Sequence, residues 1–265
     1  MSAHLLLFKN AKLHYTKSGT GTKSLLLFHG FGQKHTVFDD LMETLSNQYT
    51  LYSFDLFFHG ESFWGDEEKP MEKEYWKELL NHFLSEHSID KFSVLGFSMG
   101  GKFALAGLEA FPDRTEEIFL LAPDGIKTSF WYSLATYPQV FRQLFKSMIG
   151  HHQRFLAVSR IALQLRLIDK GVLRFVELQM NTEEKRKRVY YSWVVFRHLQ
   201  FDLDKIADIL NSNHIPLTLI IGKYDKIITA KNMKPFLDKL RIKRFEIIEA
   251  GHNDLIKSYQ LSVIS

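Results

Sequence analysis

Short runs of β-branched and large apolar residues recur along the chain, and between them apolar residues return at every third or fourth position. The first pattern marks strands buried on both faces and the second marks amphipathic helices. Their alternation predicts a mostly parallel sheet of eight strands flanked by crossover helices. Strands are expected near residues 5–9, 12–17, 24–29, 50–55, 92–95, 117–121, 217–221 and 245–249, and helices near 36–46, 73–87, 99–110, 230–240 and from 254 onward. Only the polar tetrapeptide KNAK separates the first two runs, which predicts an antiparallel lead-in hairpin.

From 125 to 202 the alternation stops, and apolar residues keep helical spacing throughout. Asn181 and Glu184 have the separation of a helix cap and its return contact. A helical cap inserted after the sixth strand is therefore expected at 125–202, with 1–124 and 203–265 forming the core domain. In open α/β sheets an insert at this point lies at the carboxyl ends of the strands, where ligands bind. Charge divides along the same line. The chain carries a net +4, yet residues 126–200 hold thirteen Lys and Arg against four acids, leaving 21 basic and 26 acidic residues elsewhere. The insert thus has a surface of its own. Within it the run Lys185, Arg186, Lys187, Arg188 is read as a solvated helix face, and with no recognisable binding module beside it no nucleic-acid partner is expected.

With 45% apolar and 24% charged residues in 265, the composition is that of an ordinary globular protein. The absence of cysteine excludes disulfides, thiolate metal sites and a cysteine nucleophile. No apolar run reaches the length of about 18 residues that a membrane span needs, and the opening MSAHLLLFKN has no signal-peptide character, so a cytoplasmic protein is expected. No H-E-x-x-H spacing and no G-x-G-x-x-G after the first strand occurs, so neither a metal nor a cofactor is expected.

One stretch carries candidate chemistry. "SVLGFSMGGK" sets Ser98 between glycines, after an apolar run and before a helical one. By chance G-x-S-x-G arises in about one chain in ten of this length, so the pentapeptide alone decides little. A serine hydroxyl becomes a nucleophile when a base takes its proton, and the base needs a third group to hold its tautomer. Downstream, "LTLIIGKYDKI" places Asp225 past one strand end and "FEIIEAGHNDL" places His252 past the last, both at the carboxyl edge that Ser98 occupies. Asp124, in "LLAPDGI", follows a strand at the same edge and competes with Asp225 as the acid. An oxyanion needs two donors, one from the residue after the nucleophile and one from the loop after the third strand. Met99 and Phe31 occupy those positions.

These four motifs, His29-Gly30, Gly96 to Gly100, Gly222 to Asp225 and Gly251-His252, resemble those of the α/β-hydrolase fold superfamily in the same order over nearly the whole chain. The resemblance implies Ser98 as nucleophile, His252 as base, Asp225 as acid, and the Phe31 and Met99 amides as oxyanion donors. His29 and His59 are themselves read as structural, histidines bonding loop backbone beside the site. Two departures stand out. "DLFFHGES" has Phe57 and Phe58 where many members carry Pro or Arg and Gly, while Asp55, His59, Gly60 and Ser62 remain, so a conserved turn geometry with a more aromatic rim is expected. Thirteen residues follow His252, so a final helix shorter than usual is expected.

Phe130, Trp131, Phe141, Phe145, Tyr190 and Trp193 are many aromatics for one helical layer to hide, so some are expected to line an apolar pocket. Candidate contacts to a small-molecule substrate are Gln33, Phe97, Trp131 and Trp193. The expected activity is cleavage of a carboxylic ester with a small or medium apolar acyl group. Serine at 98 argues against the branches of the superfamily that use an aspartate nucleophile. On the same scaffold a carbon–carbon bond hydrolase or a menaquinone-pathway lyase remains open, and in a different class a ligand receptor with weak turnover. The oligomeric state is left open.

Overall fold

The computed structural model describes residues 2–126, 130–164, 173 and 177–264, with side chains omitted at 130, 131 and 260–264. Eight strands share one sheet: β1 (Ser2–Phe8), β2 (Ala11–Ser18), β3 (Lys23–Phe28), β4 (Tyr49–Phe54), β5 (Phe92–Phe97), β6 (Thr115–Leu121), β7 (Leu217–Gly222) and β8 (Lys243–Ile248). Their order is β1-β2-β4-β3-β5-β6-β7-β8. The β1/β2 hairpin and the β2/β4 pair are antiparallel, and every pair from β4 to β8 is parallel. All six residues of β5 and of β7 are buried, which is why these runs are apolar without alternation.

The order reverses around β3, which pairs with β4 on one side and β5 on the other. The carboxyl ends of β3 and β5 therefore diverge into loops from adjacent points, with Phe28 opposite Gly96. Such a switch point leaves a crevice at the sheet edge. The loop starting at His29 and the turn at Ser98 both open there.

Helix α1 (Asp39–Leu45) follows a short 3₁₀ turn, His35–Phe38, so the expected single helix from 36 is divided at Phe38. Helix α2 (Lys73–Glu86) buries Trp76, Leu79, Leu80, Phe83 and Leu84, one stripe at the helical period. It packs on α3 (Gly100–Ala110), and the Trp76 indole donates to the Phe103 carbonyl at 3.2 Å. Residues 100–108 of α3 are all buried, so this helix belongs to the core rather than to the surface.

Two compact units divide the chain. The first comprises 1–66, 71–127 and 199–265, and the second 67–70 and 128–198. In the second lie α4 (Phe130–Thr136), α5 (Gln139–Ser147), α6 (His152–Gln164) and α7 (Glu183–Val195). Phe145, Tyr190 and Val194 are buried, with Phe145 and Tyr190 rings edge to face at 5.2 Å. Glu68 joins this unit by accepting the Tyr190 hydroxyl at 2.9 Å and pairing with Lys146. The cap of α7 is Thr182, whose hydroxyl accepts the Lys185 amide at 3.2 Å. Asn181 is thus one residue before the cap, and Thr182 takes the capping position expected of it.

Helix α8 (Leu203–Ser212) is absent from the expected set. Asp202 caps it by accepting the Asp204 and Lys205 amides, and Ile206, Ala207 and Leu210 form its buried stripe. The signal was an Asp cap before a short periodic run, hidden by its position at the end of a longer helical region. Among the described residues the remaining α-helices are α9 (Ala230–Leu237) and α10 (Leu255–Ile264). Among the described residues no helix is long and apolar enough to cross a membrane.

The first turn of α3 lies directly on the end of β3. A Cβ at Gly100 would fall 2.0 Å from the Phe28 carbonyl oxygen and 2.9 Å from that of His29. Gly100→Ala is expected to destabilise the protein by about 1–3 kcal/mol, read as a lower urea midpoint with unchanged slope. A midpoint equal to wild type would show that the two elements can separate freely.

Candidate active site

Ser98 stands between β5 and α3 with φ of 49°, in the left-handed region that non-glycine residues avoid. Such a conformation costs on the order of 1–2 kcal/mol and persists only where the surroundings enforce it. Here they do. The Ser98 N–H donates to the Leu121 carbonyl at 2.9 Å, and its own carbonyl accepts the Gly101 and Asp124 amides, each at 2.8 Å. Gly96 makes the sharp return possible, since a Cβ there would lie 2.6 Å from the Gly100 oxygen and 2.9 Å from the Ala104 methyl.

From this turn the Ser98 Oγ reaches His252 Nε2 at 3.0 Å, and His252 Nδ1 lies 2.6 Å from Asp225 Oδ2. Asp225 Oδ1 accepts the Ile227 and Ile228 amides at 2.8 and 2.9 Å, and its side chain is fully buried. A carboxylate held by two amides is an acceptor, so the imidazole proton sits on Nδ1 and Nε2 is left to accept from the serine hydroxyl. Asp124, the rival acid, is engaged elsewhere. Its Oδ2 pairs with Lys102 Nζ at 3.1 Å and its Oδ1 accepts the Gly125 amide at 2.7 Å.

Phe31 and Met99 lie on the two loops that flank Ser98. Among the described residues neither backbone amide has an intramolecular acceptor. Histidines hold the first loop. His29 donates from Nδ1 to the Gly30 carbonyl at 2.7 Å and accepts the Leu56 amide on Nε2 at 3.0 Å. His59 accepts the Gly32 amide on Nε2 at 2.9 Å and donates from Nδ1 to the Phe57 carbonyl at 3.0 Å. Gln33 closes the loop, its Oε1 accepting the Gly30 amide at 3.0 Å. Phe97 is buried, its ring 5.2 Å from that of His252. Trp193 packs inside the second unit against Tyr132 and Phe145, with ring centroids at 5.2 and 5.6 Å. The side chain of Trp131 lies outside the described residues.

The turn at 55–62 carries Phe58 at φ 69°, a phenylalanine in the backbone state where glycine is usual. Asp55 anchors it. This buried carboxylate takes His35 Nδ1 and the His35 amide on Oδ1 at 2.9 and 2.7 Å, and His14 Nδ1 and the Glu61 amide on Oδ2 at 2.8 and 3.0 Å. His14, His35 and Asp55 bring three potential metal donors within 4.8 Å of one another, from positions too far apart in sequence to form a motif. Both imidazoles donate to the carboxylate, so a cation would have to displace two protons. Sequence reasoning passed over these two histidines and Lys102. For Lys102 a signal existed, a single charge in the apolar run of the helix after the Ser98 turn.

An open α/β sheet, a serine on a tight strand-to-helix turn at its switch point and an imidazole–carboxylate couple on later loops define a class of enzyme scaffold. The family model described as the alpha/beta hydrolase fold matches residues 23–259. The chain belongs to the α/β-hydrolase fold family. A pimeloyl-acyl-carrier protein methyl ester esterase of Nitrosomonas europaea is 25% identical over 123 residues, 46% of this chain and 46% of that protein, so the match spans under half of the relative. Putative esterase/lipase 3 of Mycoplasma pneumoniae is 22% identical over 227 residues, 84% of this chain and 75% of that protein. Among solved structures, a thermophilic esterase from Thermogutta terrifontis aligns with TM-score 0.70 at 18% identity, covering 100% of this chain and 97% of the other, a likeness of fold.

Burial pushes the Asp55 carboxyl up, but the His35 and Glu61 amides and the His35 ring outweigh it and hold it below the ordinary aspartate value. A folded value lowered below the unfolded one contributes stability that is present above the unfolded value and lost as pH falls through the folded one. Asp55→Asn is therefore expected to lower stability by about 2–4 kcal/mol at pH 7, with the gap to wild type narrowing below about pH 4. Urea titrations across pH measure this. A gap unchanged down to pH 2 would show that the charge of Asp55 is not what the turn requires.

Proposed function

We propose that the protein is a serine hydrolase that cleaves a carboxylic ester of small to medium apolar acyl group through an acyl-enzyme. The observation that carries the reading is the unbroken chain from Ser98 Oγ through His252 to Asp225, launched from a residue held in the left-handed region. Relatives named as an ester esterase and an esterase/lipase favour an ester as the scissile group.

Ser98 Oγ attacks the ester carbonyl as His252 Nε2 takes its proton, and the electron pair of the carbonyl moves to oxygen. The Phe31 and Met99 amides receive that oxyanion, Met99 from the N-terminal end of α3, where the helix dipole adds partial positive charge. Collapse of the adduct expels the alkoxide, which takes the proton from His252. Water then enters, loses a proton to His252 and attacks the acyl carbon, and Ser98 leaves as the hydroxyl. Asp225 remains ionised throughout, holding the imidazole tautomer and stabilising the imidazolium.

Ser98→Ala and His252→Ala are each expected to remove nearly all ester hydrolysis, and the double variant to be scarcely worse than either, because the groups act as one unit. Retention of a tenth of the activity by Ser98→Ala would rule out the nucleophile assignment. Asp225→Asn is expected to fold normally and lose about 10⁴ in kcat, since the amide favours the wrong imidazole tautomer. Near-normal activity there, with collapse in Asp124→Asn, would move the acid to the loop after β6. A panel of esters and vinylogous diketones, run with wild type and Ser98→Ala after fluorophosphonate labelling, tests the substrate class. Turnover of diketones alone would replace the ester reading.

A further inference from the structure

Lys102 is the one charged side chain among residues 100–108 of α3, all of which are buried, and it lies four positions beyond Ser98. Only 5% of its surface is exposed. An ammonium withdrawn from water destabilises the folded state unless an opposite charge is placed against it. Asp124 supplies that charge, with Oδ2 at 3.1 Å from Nζ.

What makes the pair more than a neutralised core lysine is where Asp124 sits. It lies on the 122–125 loop that leaves β6, and the end of the strand and this loop between them hold both backbone polar groups of Ser98. Leu121 accepts the Ser98 N–H at 2.9 Å, and the Asp124 N–H donates to the Ser98 carbonyl at 2.8 Å. The loop is itself bent through unusual backbone states, φ 39° at Ala122 and 106° at Gly125. The second Asp124 oxygen accepts the Gly125 amide, so one carboxylate ties the loop to itself and to the helix. Contact between the loop and α3 is close, since a Cβ at Gly101 would fall 2.6 Å from the Pro123 Cβ and 2.9 Å from the Asp124 backbone carbonyl oxygen.

We propose that Lys102 and Asp124 are a positioning pair: their ion pair fastens the 122–125 loop to α3, and the fastened loop, through the Asp124 amide, keeps Ser98 in the left-handed conformation from which its Oγ reaches His252. Neither residue touches substrate. Each acts through the Ser98 backbone, and the inference rests on Ser98 being the nucleophile. It also accounts for an aspartate at the carboxyl edge of β6 that does not meet the histidine.

The test is the saturating first-order rate of fluorophosphonate labelling of the full chain, which depends on the nucleophile and base and not on a particular ester. Wild type, Lys102→Met, Asp124→Asn, the double variant and Lys102→Arg are compared across pH, with Ser98→Ala as the control. Lys102→Met and Asp124→Asn are each expected to slow labelling about tenfold per folded molecule, because small misplacements of a reacting group carry losses of this order. The double variant should also be about tenfold slow, not a hundredfold, because the two residues make one contact. Lys102→Arg, which keeps the charge, should stay within about threefold of wild type, and the acid limb of the pH profile, set by the His252–Asp225 couple, should not move in any of them. Should Asp124→Asn not fold, the two Lys102 variants decide.

Labelling at the wild-type rate in Lys102→Met, with only a lowered melting temperature, would overturn the proposal and leave the pair as a core contact. A hundredfold loss in the double variant, or an acid limb displaced in Asp124→Asn, would overturn it as well, the latter by coupling Asp124 to the imidazole. Failure of wild type to label at all would instead overturn the serine-hydrolase reading, and the positioning role with it.

Discussion

A serine with φ of 49° is strained by itself, and much of the site's architecture answers to that strain. The turn reverses the chain from β5 into α3 within a few residues, which requires the Ala104 methyl and the Gly100 backbone to come within contact of Gly96 and Gly100 to lie on the end of β3. Once these approaches are made, the Ser98 amide is committed to the end of β6 and its carbonyl to the Asp124 amide in the loop that follows. The same turn sets the height of Oγ over the sheet and the direction of α3. One local backbone state thus links the core packing of a central helix to the geometry of the hydroxyl at its end.

The neighbouring loop is stabilised differently. Around Gly30 to Gln33 the chain crosses the sheet edge without regular backbone pairing, and buried amides left unpaired would be costly there. Side chains take the place of a ladder. His29 and His59 each accept one amide and donate to one carbonyl, which requires both to be neutral and protonated on Nδ1. Asp55 does the complementary work beneath, collecting four donors onto one carboxylate. With these donors satisfied, the Phe31 amide has no acceptor among the described residues, as a donor to the oxyanion of the proposed reaction requires.

Much of the fold was legible in the chain because burial of strands on both faces and helices on one leaves different periods in the sequence. Boundaries moved where tertiary pairing extended a run: β1 begins at Ser2 because its antiparallel partner offers Lys17 to pair with it, and β5 reaches Phe97 because β6 offers Leu121. Helix α8 was hidden because its Asp202 cap follows directly on a longer helical region. The candidate site was legible to the extent that it is built from strand ends. Ser98, Asp225 and His252 each follow an apolar run closely, and parallel strands deliver their ends to one edge whatever the packing details.

By itself the sequence determined an α/β sheet, the glycine-flanked serine turn, the order of the three polar residues and the helical insert after the sixth strand, all of which follow from local pattern and chain direction. Only the tertiary structure shows which of Asp225 and Asp124 stands opposite His252. Both leave strands at the same edge within a few residues, and what separates them is which side chain stands opposite: His252 for the first, Lys102 for the second. The clustering of His14 and His35 on Asp55 and the gripping of Ser98 by the β6 loop are of the same kind. Such contacts join residues from separate elements, so their existence depends on sheet register and loop course, and no periodicity along one chain encodes a distance across it.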